Sequence, residues 1–166
     1  MITHLPGLRR YALGLSGTAP AADDLVQDCI ERALRRVETL QGEEKMGGWL
    51  RSILFNLFID GRRQMKQRGE NVQLELVEND AGNAAPPDRR HEAQEVLRAT
   101  SLLSPEHRQV LMLVGVEGLS YREAAEEMGV PIGTVMSRLA RARDQLRALL
   151  QDGVRGSSPI PFRRPS

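Results

Sequence analysis

Aromatic residues make up only 4% of this chain, so a hydrophobic core has to be assembled from Leu, Val, Ile and Ala. A core of that composition favours helices. Cysteine occurs once, at Cys29. An internal disulfide is therefore excluded, and without a CxxC pair or a Cys/His cluster so is a structural zinc site. No apolar run approaches the ~18 residues of a membrane span, and the N-terminus lacks a signal-peptide pattern. Both absences lead to the expectation of a cytoplasmic protein with no membrane insertion. Charge of one sign is missing too: 23 Lys and Arg against 22 Asp and Glu leave a formal +1. Any affinity for nucleic acid must then come from local patches. The three histidines, His4, His91 and His107, fall in separate segments. With no serine elbow, P-loop or paired-His motif, the chain offers no catalytic constellation, and no cofactor, metal or small-molecule substrate is expected. What remains, 40% hydrophobic and 27% charged residues over 166 positions, suits one domain or two small ones.

The most informative stretch runs from Ser120 to Ala148. Ser120 and Glu123 have the spacing of a capping box, with Leu119 and Ala124 placed as a hydrophobic staple. Ala124, Ala125 and Met128 form the apolar stripe of a short helix. Gly129 suits the left-handed position that ends it, and Pro131 presets φ for the next start. In the following helix Val135, Leu139, Ala142 and Leu146 recur at inward spacing. Met136, Ser137, Ala140 and Arg141 lie opposite, with Arg138, Arg143 and Arg147 around them. A small-residue helix, a tight turn and a basic helix are the parts of a DNA-binding helix-turn-helix. An amphipathic helical hairpin with a solvated basic face fits the same spacing.

Ahead of that stretch the chain reads as a series of helices. Leu5, Leu8, Ala12 and Leu15 mark a short first one, ended by the Ser16 to Pro20 breakers. A second is expected from about Ala21 to Thr39, acidic in its first half (Asp23, Asp24, Asp28) and basic in its second (Arg32, Arg35, Arg36), an order that suits the helix dipole. Leu40 to Gly48 reads as a polar loop. A third helix, from about Met46 or Trp49 to Lys66, buries Trp49, Leu50, Ile53, Leu54, Leu57 and Phe58. It carries Ser52, Asn56, Asp60 and Arg63 on its polar side and ends in a basic cluster. Periodicity is lost from about Gln67 to Asp88, where Gly, Asn and Pro predominate, with a brief ordered turn expected at Val72 to Val77. A helix from about Asp88 to Leu102 follows, carrying Ala93, Val96 and Leu97. Ser104 and Pro105 then open another, as N-cap and first helical residue. Past Leu150 the Gly- and Pro-rich tail is expected not to fold.

Four stretches in this order resemble an extracytoplasmic-function (group 4) sigma factor of bacterial RNA polymerase. Ala22 to Asp28 is similar to the family's core-binding helix in region 2. Trp49 to Asp60 is similar to its promoter-melting helix, and Leu103 to Val110 to the opening of region 4. Gly118 to Tyr121 with Gly133 to Arg143 is similar to its helix-turn-helix. The resemblance implies an all-α fold of two small helical domains joined by a flexible linker: region 2 over residues 1–68, the linker over 69–88, region 4 over 89–152 and a disordered tail over 153–166. It implies core RNA polymerase (the β′ clamp helices and the β flap), promoter DNA and an anti-sigma protein as partners.

The resemblance also assigns residues. Asp24, Leu25, Gln27 and Asp28 would bind the β′ clamp helices. The loop from Thr39 to Gly48, with Asn56 behind it, would hold a flipped base of the −10 element. Asp60 belongs to the same −10 surface, where Arg62, Arg63 and Lys66 would grip the backbone. Met136, Ser137, Ala140 and Arg141 would face −35 bases, with Gly133, Thr134, Arg138 and Arg143 nearer the phosphates. Met136 and Ala140 stand where many members carry larger or charged side chains. Two other classes compete. An autonomous regulator would bind a palindrome without polymerase. A DNA-acting enzyme such as a resolvase would need a nucleophile, for which Tyr11 beside Arg9 and Arg10 is the one candidate.

Overall fold

A computed structural model describes residues 1–70 and 86–156 of the chain. Among the described residues there is no strand; the elements are seven α-helices with short 3-10 turns and one π-helical turn. They are α1 (Leu5–Ser16), α2 (Ala19–Arg35), α3 (Met46–Gln67), α4 (Pro87–Ser101), α5 (Pro105–Val110), α6 (Tyr121–Met128) and α7 (Ile132–Gly156).

Helices α1 to α3 form an N-terminal lobe. Gly17, at φ 83°, ends α1 in the left-handed conformation that a Cβ disfavours. Thr18 then caps α2 by accepting from the Ala21 amide. Pro20 sits in the first turn of α2, where a missing N–H costs nothing. This corrects the expected boundaries of the second helix: Pro20 starts it, and it stops at Arg35, with a separate 3-10 turn at Val37–Thr39. Ala22, Cys29 and Ala33 are the buried residues of α2, and small side chains there let α1 and α3 approach closely. The Cys29 thiol donates to the Leu50 carbonyl at 3.3 Å. Leu50, Ile53, Leu54 and Phe58 are the buried row of α3, while Trp49 and Leu57 are only half-buried. Helix α3 begins at Met46, the earlier of the two expected starts, after a 3-10 turn at Glu43–Lys45.

Helices α4 to α7 form the C-terminal lobe. In α4 it is Ala99 and Thr100 that are buried, not Ala93 or Val96, which are exposed; the helix packs through its C-terminal end. Ser104 caps α5 by accepting from the His107 amide. The chain then widens into a π-helical turn at Leu111–Val116, in which the Glu117 amide reaches back five residues to Met112. The α7 helix passes through Gly153 to Gly156, further than the breaker-rich tail implied. The expected linker and its Val72 to Val77 turn lie largely outside the described residues, as does the tail beyond Gly156.

One hydrophobic cluster runs through both lobes, from Leu8, Leu15 and Leu54 to Val110, Leu113 and Leu139. The two helical units therefore pack against each other.

Candidate nucleic-acid interface

The helix-turn-helix is built as its residue types dictate. Ser120 Oγ accepts from the Glu123 amide at 3.1 Å and Glu123 Oε2 from the Ser120 amide at 2.7 Å, a complete capping box. Those two bonds hold the Glu123 carboxyl below its ordinary pKa, the backbone bond contributing most. Gly129 takes φ 67° and turns the chain between α6 and α7. Val135, Leu139 and Ala142 are buried under α7, and His107 is hydrogen-bonded to Gln145 across α5 and α7 at 2.8 Å.

That packing leaves Met136, Ser137, Ala140 and Arg141 exposed together on the outer face of α7. Ser137 donates to the Thr134 carbonyl at 3.1 Å, so toward a base its hydroxyl is an acceptor. Gly133 is exposed at the first turn, with nothing within 4 Å of where a Cβ would stand. Thr134 and Arg138 are half-buried beside it, and Arg143 is exposed. A face of this kind suits base edges at its centre and phosphates at its margins.

The region assigned to the −10 element is an open cleft of about 800 Å³. One wall carries Thr39, Gln41, Glu44, Lys45, Trp49, Arg51 and Ser52. The opposite wall belongs to the other lobe and is acidic: Glu117, Glu123, Glu126 and Glu127. Asn56 does not line the cleft; it is exposed one turn along α3 from Ser52. Asp60, Arg63 and Lys66 are exposed too, whereas Arg62 lies with its guanidinium 5.6 Å from the centre of the Phe58 ring. On α2, Asp24, Gln27 and Asp28 are exposed and Leu25 half-buried, a polar outer surface that continues into exposed Leu34 and Val37.

Three features were not legible in the sequence. Arg51 forms a two-pronged ion pair with Glu127, both bonds 2.8 Å, and that bond keeps the guanidinium pKa raised. Arg108 is 2% exposed and donates to the carbonyls of Leu103 (3.0 Å), Leu15 (2.6 Å) and Ser101. Its pKa is pushed down to about 10, by burial first and by Arg62 second. Arg10 pairs with Glu117 at 3.1 Å. These partners lie far apart along the chain, where no local pattern reaches. Tyr11, the candidate nucleophile of the enzyme reading, is completely buried; burial chiefly, with Glu127 next, pushes its phenol pKa up. It is a core residue.

Comparison with known proteins follows the same division. Residues 93–146 match the family model for sigma-70 region 4, and residues 1–59 match that for the Sigma2 domain of PhyR. The chain is 36% identical over 161 residues to the ECF RNA polymerase sigma factor EcfG of Rhodopseudomonas palustris, covering 96% of this chain and 88% of that protein. It is 35% identical over 155 residues to the ECF sigma factor SigE of Mycolicibacterium smegmatis, covering 89% and 58% respectively. Among solved structures, the sigma factor RpoE of Bartonella quintana, in complex with the anti-sigma factor NepR, is similar with a TM-score of 0.76 and 33% identity over 90% of this chain and 93% of that one.

Proposed function

The chain belongs to the extracytoplasmic-function sigma factors of RNA polymerase, and from that membership we propose how its surfaces divide the work of promoter recognition. The exposed side of α2, with Asp24, Leu25, Gln27 and Asp28, binds the β′ clamp helices of core polymerase. The cleft at Thr39 to Gly48 takes an unstacked base of the −10 element, and Trp49 offers an aromatic wall beside it. Asn56, Asp60, Arg62, Arg63 and Lys66 extend that surface along the strand. Met136, Ser137, Ala140 and Arg141 read −35 bases, while Gly133, Thr134, Arg138 and Arg143 hold phosphates. The region 4 lobe contacts the β flap.

The observation that carries this division is the two-sidedness of α7. Its buried row is wholly apolar and its exposed row combines small, polar and basic side chains at helical spacing. Regulation by an anti-sigma protein is part of the proposal, and the exposed Leu34, Val37 and Leu102 support it as apolar surface open to a protein partner. The site of action is the cytoplasm, where core polymerase is found.

A binding experiment tests the division. Promoter fragments from the source genome are mixed with the chain, with and without core polymerase, and resolved by gel mobility. Asp28→Arg should weaken recovery of the polymerase-containing complex at least tenfold and leave the helicity of the protein unchanged. Equal recovery with Asp28→Arg would remove α2 from the core-binding role. An autonomous regulator would instead shift a palindromic fragment without core.

A further inference from the structure

The outer face of α7 consists of two columns of opposite chemistry, side by side. Residues four apart on a helix stack in line, and the next column lies about 100° round the axis. One column is Ile132, Met136 and Ala140, all exposed and none with a hydrogen-bonding side chain. The other is Gly133, Ser137 and Arg141, also exposed. Helical side chains lean toward the N-terminus, so Ser137 leans over Gly133. Nothing lies within 4 Å of the position a Cβ on Gly133 would take. Ser137 therefore faces outward with no side chain above it and an apolar column alongside. Its hydroxyl has a single proton to give. Ser137 Oγ donates that proton to the Thr134 carbonyl at 3.1 Å, within the same helix. Outward it presents only lone pairs.

We propose that Ser137 is a specificity-determining residue that selects a −35 base with an amino group on its major-groove edge, adenine or cytosine, and rejects guanine and thymine. The proposal rests on the reading of α7 as the −35 helix. In the major groove adenine N6 and cytosine N4 donate, whereas guanine O6 and N7 and thymine O4 only accept. An amino group opposite Ser137 donates to Oγ, Oγ donates to the Thr134 carbonyl, and every donor is satisfied. A base carbonyl in the same place meets lone pairs. Turning the hydroxyl proton toward that carbonyl breaks the bond inside α7, so no hydrogen bond is gained. In a groove from which water has been displaced, either arrangement costs affinity. Gly133, Met136 and Ala140 bring no polar side chain that could compensate. Arg141 is a donor suited to guanine, and it stands four residues further on, about 6 Å along the axis or nearly two base steps. The preference at the Ser137 position thus separates amino from carbonyl bases, not purines from pyrimidines. A pair accepted in one orientation is refused when its two bases exchange strands.

Transcription by core RNA polymerase with the full chain tests the assignment, on promoter fragments whose −35 positions are varied one base at a time. The parent is compared with Ser137→Ala, Ser137→Thr and Arg141→Ala. At one position the parent should use adenine and cytosine about fivefold better than guanine and thymine. Ser137→Ala should level the four bases there. Ser137→Thr should keep the preference, because a threonine hydroxyl makes the same bond back into its helix. Purine deoxyriboside in place of adenine removes the amino group alone. At that position it should lower output about fivefold with the parent and leave output with Ser137→Ala unchanged. The Arg141→Ala variant separates two kinds of failure. A base preference altered by Arg141→Ala, but at no position by Ser137→Ala, would overturn the assignment and leave the −35 reading standing. So would a Ser137-dependent position that does not group adenine with cytosine. Indifference of every fragment to both alanine substitutions, or no chain-dependent transcript at all, would remove α7 from the −35 element and the assignment with it.

Discussion

Arg141 and Arg108 show how one residue type is put to opposite uses by its surroundings. Arg141 is exposed at the centre of the outer face of α7, one turn from Ser137. If it reads a base, Arg141→Ala should relax base preference at one −35 position, at a cost of about 1–3 kcal/mol there. Competition binding against −35 fragments varied one base at a time checks this, and an equal loss on every fragment would reduce Arg141 to a phosphate contact. Arg108, by contrast, is buried with carbonyl partners and no carboxylate. Its local sequence, Glu106-His107-Arg108-Gln109, reads as an ordinary polar first turn. The outward residues of α7 could be named from spacing alone because a helix face is a local property. The burial of Arg108 depends on Leu15, which no spacing rule connects to it. The same limit hid the fate of Tyr11, whose neighbours include Gln109 and Glu127 of the other lobe. Cys29 is a buried residue of the α2 packing face, with its thiol pKa pushed up to about 12 by burial.

Among the elements, α6 starts on a complete capping box. Ser120→Ala removes one half of the capping box and should cost about 1 kcal/mol in thermal or denaturant unfolding. The other half makes that contribution depend on pH. Glu123 is held below its ordinary value of 4.5 by accepting from Ser120, so the folded state binds its proton less readily than the unfolded chain does. The stabilisation is present above about pH 4.5 and is lost as pH falls through the depressed folded value. Glu123→Gln should flatten this part of the pH–stability curve below about pH 5. An unchanged acid limb would show that the cap bond does not persist in solution. Helix boundaries were legible wherever a cap or a left-handed glycine marked them, as at Ser104, Ser120, Gly17 and Gly129. They were misjudged where a residue had two readings. Pro20 breaks one helix and starts another, and Gly153 lies within the continued turns of α7. The π-turn at Leu111–Val116 has no sequence signature, since its apolar residues also fit an α-helix.

At the scale of the molecule, the all-α class and the two helical units followed from apolar periodicity separated by a stretch without it. How the units dock did not, because docking rests on single long-range contacts such as Arg51 with Glu127 and Gly14 against Met112. Docking places Glu123, Glu126 and Glu127 of α6 opposite Lys45, Trp49 and Ser52 across one cleft. It also joins the cores of the two lobes in one hydrophobic cluster. The most direct test of the central claim is run-off transcription by core RNA polymerase on promoter fragments from the source genome, with and without the purified chain. The account predicts discrete transcripts that require the chain, are lost with Asp28→Arg and change promoter preference with Arg141→Ala. No chain-dependent transcript from any fragment, together with protection of a palindromic site by the chain alone, would contradict it.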